Sequence, residues 1–127
     1  MNYIFTVIIA SFLGWAGIVS LPFDELEKSI SSGDAEKVMS FCGEKVLITL
    51  DKKEGVYSRS QGAQILKSFF QSNPVDSFRF TFKGKEQGTS TFAVGTYMSK
   101  TTKFRVSIKF ILQKEDYLIE AITIEKE

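Results

Sequence analysis

The pattern of hydrophobic and polar positions changes its period at about Asp76. Before this residue, most apolar positions recur every three or four residues, whereas after it they alternate with polar ones. The first spacing predicts amphipathic helices and the second predicts strands that bury one face. The chain is therefore predicted to begin with helices and to end with strands.

Two short helices are predicted before residue 43. Phe23, Leu26 and Ile30 share one helical face ahead of the sequence SSGD, and a second apolar stripe runs from Ala35 to Cys42. Because free cysteine is among the most buried residue types, Cys42 is predicted to be a core residue rather than a reactive thiol.

A strand and a longer helix are predicted next. Residues 46–50 alternate as a strand, and the sequence DKKEG is predicted to be a turn. Ser58 and Gln61 have the spacing of a capping box, and Asn73-Pro74 is predicted to end the helix. Tyr57 has no role in this local pattern.

Four alternating segments follow, separated by short polar turns, which predicts an antiparallel meander. The predicted hairpin turns lie at Lys100-Thr101 and at Lys114-Glu115. Helices followed mainly by strands indicate the α+β class, in which three N-terminal helices cover one face of a curved antiparallel sheet.

These turns predict which residues face the helices. Small residues on that face would leave a gap beneath the helices, and a ligand could bind there. The pocket candidates are Ala93, Gly95, Tyr97 and Tyr57. The alternative is that phenylalanine side chains simply fill the gap, since protein interiors rarely contain large voids.

The opposite face of the sheet is predicted to be unusually apolar. Such a face would be covered by a second copy of the chain or by another envelope protein. The interface candidates are Phe92, Val94, Met98, Arg105, Leu118, Ile122 and Ile124. The alternative is a β-bulge that shifts the register and mixes the two faces.

The first 23 residues contain no charged side chain and are largely apolar from Ile4 to Val19. This pattern is typical of a signal peptide, although an uncleaved membrane anchor would have a similar composition. The predicted domains are residues 1–20 as signal peptide or anchor and residues 21–127 as one folded domain. The protein is expected to be periplasmic or extracellular, with its mature form beginning between about Gly17 and Phe23.

Composition limits the chemistry that the chain can perform. The formal net charge of +1 gives no reason to expect a nucleic-acid partner or an anionic membrane surface. The single cysteine cannot form an internal disulfide, and the chain has no histidine, the commonest general base. No catalytic residue, metal ligand or cofactor is therefore predicted.

The order helix, helix, strand, helix and four long strands resembles the nuclear transport factor 2-like superfamily, also called cystatin-like, which has a cone-shaped α+β fold. The segments EGVYSRSQGAQILKSFFQSNP, FAVGTY, FRVSI and YLIEAITIEKE resemble an uncharacterised family of small exported bacterial proteins within it. The resemblance implies a pocket in the cone and a homodimer formed through the sheet. It does not select a function, because this fold hosts isomerases, dehydratases, transport factors and ligand-binding modules.

The predicted function is an exported, non-catalytic binding or interaction module. One alternative is a small enzyme that acts on an apolar substrate in the cone, with Tyr97 or Tyr57 as hydrogen-bond donor. Another is a cell-envelope adaptor that acts through the outer sheet face. An open cone would favour a ligand binder or an enzyme, and a filled cone would favour an adaptor.

Overall fold

The computed structural model describes residues 21–127, which form three helices and six strands. The helices are α1 (Phe23–Ser31), α2 (Ala35–Met39) and α3 (Arg59–Ser72). The strands are β1 (Cys42–Leu50), β2 (Lys53–Ser58), β3 (Ser77–Lys83), β4 (Ser90–Ser99), β5 (Thr102–Gln113) and β6 (Asp116–Lys126). The predictions of a signal peptide or anchor concern residues 1–20 and lie outside the described range.

The six strands form one sheet in the order β2-β1-β6-β5-β4-β3. Neighbouring strands are antiparallel except for β1 and β6, which pair in parallel at the centre of the sheet. The buried residues of the helices join those of one sheet face in a single core. This arrangement confirms the predicted α+β class. Within residues 21–127, no helix is long and apolar enough to cross a membrane.

Strand β2 was not predicted, because the sequence DKKEG was assigned to a turn. The turn consists only of Asp51 and Lys52, whose φ angles are 50° and 78°. A two-residue loop with both φ angles positive matches the twist of a hairpin, so the chain returns at once along β1. Neither residue is glycine or asparagine, and the usual sequence signal for this turn is therefore missing.

Helix α3 begins and ends where its sequence predicts. The Ser58 side chain accepts a hydrogen bond from the Gln61 N–H, and the Gln61 side chain accepts one from the Ser58 N–H, which completes the capping box. The helix ends at Ser72, ahead of Asn73-Pro74. Leu66 is the buried anchor of the helix, while Phe69 and Phe70 are half-buried against the sheet.

A β-bulge at Glu120 reverses the predicted orientation of the second half of β6. Phe110 pairs with Ile119 as predicted, but Lys109 then pairs with Ala121, so Glu120 is an extra residue. Ile122 and Ile124 consequently face the helices, where only 2% and 4% of their surfaces are exposed. Their predicted place on the outer face is therefore wrong, and the alternative of a bulge is correct.

A second bulge, at Thr81, has the opposite consequence in β3. Phe80 pairs with Gly95, whereas Phe82 pairs with Val94, and Thr81 is the extra residue. Simple alternation would place Phe82 on the same face as Phe80. The bulge instead turns Phe82 to the outer face, where 49% of its surface is exposed.

The core prediction for Cys42 is confirmed. Cys42 is buried, with its Sγ 3.9 Å from the Val38 carbonyl oxygen and 3.9 Å from Met39 Sδ on helix α2. Burial raises the pKa of its thiol to about 12, against a smaller lowering by the positive charge of Arg59. The thiol therefore remains protonated at neutral pH and packs as a small apolar side chain.

Candidate functional site

The space beneath the helices, where the fold could have held a ligand, is almost completely filled. The remaining cavity measures about 10 Å³, close to the smallest space that accepts one water molecule. The surface that lines this cavity is entirely apolar. The lining residues are Ile30, Val38, Leu66, Phe70, Tyr97, Val106, Ile108, Ile122 and Ile124.

The four pocket candidates do not form one site. Tyr97 lines the small cavity, but the space above Gly95 is occupied by the Phe78 ring, which lies 2.5 Å from the position that a Cβ atom would take. Ala93 is completely buried. Tyr57 lies at the edge of the sheet, where its ring packs over Gly55. Small residues on the core face therefore accommodate a phenylalanine ring rather than a ligand.

Tyr97 is held by contacts on every side. Its hydroxyl donates a hydrogen bond to the main-chain oxygen of Asn73, just beyond α3. Its ring stacks on Phe70 at a centroid distance of 6.1 Å and meets Phe104 edge-on at 5.9 Å. Burial, and to a lesser degree the Asp76 carboxylate, raises the pKa of the Tyr97 hydroxyl to about 12. The hydroxyl is thus a structural donor that stays neutral at physiological pH.

The outer face of the sheet, which we define as the face away from the helices, carries an exposed aromatic pair. Phe82 and Phe92 stack with ring centroids 5.0 Å apart. Phe92 is 52% exposed. Val94, which pairs with Phe82, and Met98, farther along β4, are only partly buried. Phe82 was not among the predicted interface residues, because the bulge at Thr81 is invisible to simple alternation.

Strands β5 and β6 contribute three cross-strand ion pairs to the outer face. Lys103 lies 3.5 Å from Glu127, Arg105 lies 3.7 Å from Glu125, and Lys109 lies 3.4 Å from Glu120. These side chains are about half exposed, so each pair contributes little to folding stability. Together, the three ion pairs balance the charge on this half of the outer face.

A cleft of about 490 Å³ opens where β1 and β6 separate. Between the pairs Cys42–Ile119 and Leu47–Ala121, the register advances five residues along β1 but only two along β6. Arg59 closes one end by donating a hydrogen bond from Nε to the Gly43 carbonyl oxygen at 3.2 Å. The charged side chains that line the cleft are Glu44, Lys45, Arg59, Lys114, Asp116 and Glu120. This mixed lining suits a small polar molecule better than an apolar one.

The predicted interface candidates divide between the two faces. Phe92, Val94, Met98, Arg105 and Leu118 lie on the outer face, whereas Ile122 and Ile124 belong to the core. Leu118 pairs with Ile111 at the edge of the cleft. The sequence prediction therefore holds for the position of five residues and fails after the bulge.

A family model described as a domain of unknown function, DUF4783, matches residues 23–125. The chain belongs to the DUF4783 family. A DUF4783 protein from Bacteroides fragilis has 27% sequence identity and a TM-score of 0.76, with 85% of this chain and 100% of that chain covered. Another from Bacteroides uniformis has 24% identity and a TM-score of 0.78, with 85% and 98% covered.

The wider similarity shows that this DUF4783 protein has the nuclear transport factor 2-like fold. A protein of that fold and of unknown function from Silicibacter pomeroyi has a TM-score of 0.59, with 82% of this chain and 88% of that chain covered. Its sequence identity is 9%, so this likeness shows the fold alone. No curated protein matches the sequence. The predicted membership of an uncharacterised family is thereby confirmed, together with the predicted nuclear transport factor 2-like fold.

The groups of this DUF4783 protein that could engage another molecule lie on its surface. Among residues 21–127, no three His, Cys, Asp or Glu side chains are grouped so that they could hold a metal ion. The buried ionisable groups Cys42 and Tyr97 are both protonated at neutral pH, as their raised pKa values require. The exposed aromatic pair and the charged cleft are the surfaces that could engage another molecule.

Proposed function

We propose that this DUF4783 protein is an exported, non-catalytic interaction module that acts through the outer face of its sheet. Its first partner in this proposal is a second copy of the chain. The observation that carries the proposal is the contrast between a filled cone and an exposed aromatic pair on the outer face.

The filled cone argues against a ligand beneath the helices. A ligand larger than one water molecule would have to displace side chains such as Phe70 and Leu66, which already pack against the sheet. It would also compete with Asn73 for the Tyr97 hydroxyl. Native interiors are packed as densely as organic crystals, so such displacement is costly.

The outer face has the properties of a binding surface. Phe82 and Phe92 together leave two large rings about half exposed beside Val94. Aromatic residues at the centre of an interface bury much area with little loss of side-chain entropy, and they often dominate binding. Their exposure in the single chain is unfavourable, and a contact that covers them would remove that cost.

Charge on the outer face suits a second copy. The cationic row on β5 lies beside an acidic row on β6, and the two rows balance. A two-fold axis brings one surface patch against the same patch of its partner. If the stacked strands run antiparallel, each cationic row can lie over the partner's acidic row, which avoids like-charge repulsion.

Sedimentation equilibrium of the mature chain tests this proposal. The wild type is expected to dimerise, and Phe92→Lys is expected to weaken association at least about 100-fold, or about 2.7 kcal/mol. Ser68→Lys is the matched control because it adds the same charge on exposed helix α3. A wild type that stays monomeric at millimolar concentration would contradict the homodimer and leave another envelope protein as the partner to seek.

A further inference from the structure

The loop between β3 and β4 holds the start of the described chain. Leu21 is a core residue with only 8% of its surface exposed. Its main-chain N–H donates a hydrogen bond to Glu86 Oε1 at 3.1 Å, and its carbonyl oxygen accepts one from the Phe23 N–H at 2.9 Å. Leu21 is thus fixed by its side chain and by both of its main-chain polar groups.

Glu86 is presented by a loop that is itself attached to the sheet. The Gly84 N–H donates to the Phe92 carbonyl oxygen at 2.9 Å, and the Tyr117 hydroxyl donates to the Gly88 carbonyl oxygen at 3.0 Å. The carbonyl of Thr89 also accepts from a main-chain N–H of β5. Attachments on both sides of Glu86 hold the main chain of the loop from which its side chain reaches Leu21.

The charges around Leu21 favour a cation. Asp24, Glu25 and Lys83 line the same surface depression as Leu21, and Glu86 contacts its nitrogen. Glu86 therefore contacts this nitrogen directly, and two further acidic residues line the same depression. A neutral amide N–H uses this environment for one hydrogen bond, whereas an α-ammonium group offers three donors and a full positive charge. Charge-assisted hydrogen bonds of that kind are about twice as strong as neutral ones.

We propose that the mature protein begins at Leu21 and that Glu86 binds the new α-ammonium group. This inference rests on export, which is part of the proposed function. A signal peptidase would use water to hydrolyse the amide bond before Leu21. The C–N bond breaks, the preceding residue receives the carboxylate, and the Leu21 nitrogen becomes an amine that is protonated at neutral pH. The preceding residue is Ser20, a small residue of the kind that such cleavage requires.

The pairing has a defined dependence on pH. An α-amino group has an ordinary pKa of about 7.7 to 8.0. The Glu86, Asp24 and Glu25 carboxylates favour its charged form, whereas Lys83 and the positive end of helix α1 oppose it. Because the Glu86 carboxylate contacts the nitrogen directly, the pKa of the α-ammonium group is expected to be raised. The resulting stabilisation is fully present below the ordinary pKa and is lost as pH rises through the raised value.

Intact-mass measurement of the species exported from cells expressing the full-length chain is the first test. The expected mass corresponds to a chain that begins at Leu21. Absence of the chain from the exported fraction would contradict export and with it that part of the proposed function. An exported chain that retains Met1 would indicate an uncleaved anchor and would contradict only this inference. A processed chain that begins at any other residue would contradict only this inference.

The second test measures acylation of the α-amine in the same mature protein across pH 6 to 9. Glu86→Gln is expected to increase the rate about threefold at pH 7.5, which corresponds to about half a pKa unit. Glu115→Gln, in the exposed turn between β5 and β6, is the matched control and should react like the wild type. Equal rates in the wild type and Glu86→Gln would overturn the assignment of Glu86.

Discussion

The two faces of the sheet share the same strands but differ in how completely their side chains are covered. On the helical face, Tyr97 and Phe110 have no exposed surface. On the outer face, Phe82 and Phe92 are about half exposed and stack only on each other among their aromatic contacts. Each of two β-bulges shifts the register by one residue. These shifts decide which face the following side chains occupy.

This difference indicates which face of the sheet is available to bind another molecule. The helical face has used its apolar side chains and the Tyr97 hydroxyl to complete the core, so no free group or space is left there. The outer face retains apolar surface that water covers unfavourably. We therefore propose that the filled core of this chain supports a binding surface on the outer face.

The largest expected effect comes from placing a charge on the helical face of β6. Ile122→Lys would bury a charge in the core and should reduce the free energy of unfolding by more than about 4 kcal/mol, leaving the domain unfolded. Leu118→Lys, on the outer face of the same strand, should remain folded. Circular dichroism distinguishes the two variants, and a folded Ile122→Lys protein would show that the register after Glu120 is wrong.

A smaller loss is expected from Phe69→Ala on helix α3. The Phe69 ring lies 5.3 Å from Tyr97 and 5.2 Å from Phe104, so its removal leaves a cavity between helix and sheet. Partial burial reduces the cost to roughly 3 kcal/mol. Urea unfolding measures it, with Phe92→Ala as the exposed control that should lose less than about 1 kcal/mol. Equal losses of unfolding free energy in the two variants would contradict the difference in burial between Phe69 and Phe92.

Two of the buried ionisable groups, Cys42 and Tyr97, predict a loss of stability at alkaline pH. Burial raises the pKa of Cys42 from 9.0 and that of Tyr97 from 10.0, each to about 12. Above the ordinary value, the unfolded chain loses a proton that the folded chain retains. Stability is therefore complete below pH 9 and falls as pH rises toward 12, by about 1.4 kcal/mol per pH unit for each group.

Urea unfolding at pH 8, 9, 10 and 11 checks this expectation. Cys42→Ala should remove the part of the decline that begins at pH 9, and Tyr97→Phe should remove the part that begins at pH 10. Each variant is compared with its own stability at pH 8, because both substitutions also change packing. Unchanged slopes would show that these groups titrate alike in the folded and unfolded chains.

The smallest expected effect concerns the ion pairs. Arg105→Gln breaks the exposed pair with Glu125 and should change the free energy of unfolding by less than about 1 kcal/mol. Its effect on association should be larger at low than at high salt, since exposed charges are screened. Sedimentation at two salt concentrations measures this, and a large loss of folding stability would show that the pair is not exposed.

The sequence pattern predicted the features that depend on neighbouring residues. The capping box at Ser58 and the hairpin turns at Lys100 and Lys114 are local, and the structure contains them as expected. The bulges at Thr81 and Glu120 insert one residue whose place is set by the partner strand, so alternation within a single strand cannot reveal them. The residues that follow each bulge therefore lie on the face opposite to the one that alternation predicts.

The candidate site was predictable only in part, for a related reason. Small residues at Ala93 and Gly95 suggested a gap, but the Phe78 ring that fills it comes from another strand. The charged cleft arises where parallel strands β1 and β6 separate, and their pairing depends on a long-range contact. Arg59 closes that cleft through a main-chain carbonyl, an interaction that no residue pattern signals.

Hydroxyl-radical footprinting of the mature chain at a dilute and at a concentrated condition tests both faces in one experiment. We predict that oxidation of Phe82 and Phe92 falls at least about threefold at the higher concentration, because the outer faces of two chains then cover each other. Tyr97 and Phe110 should be protected equally at both concentrations, because the core covers them in the single chain. Oxidation of Phe82 and Phe92 that does not depend on concentration, or strong oxidation of Tyr97, would contradict the account.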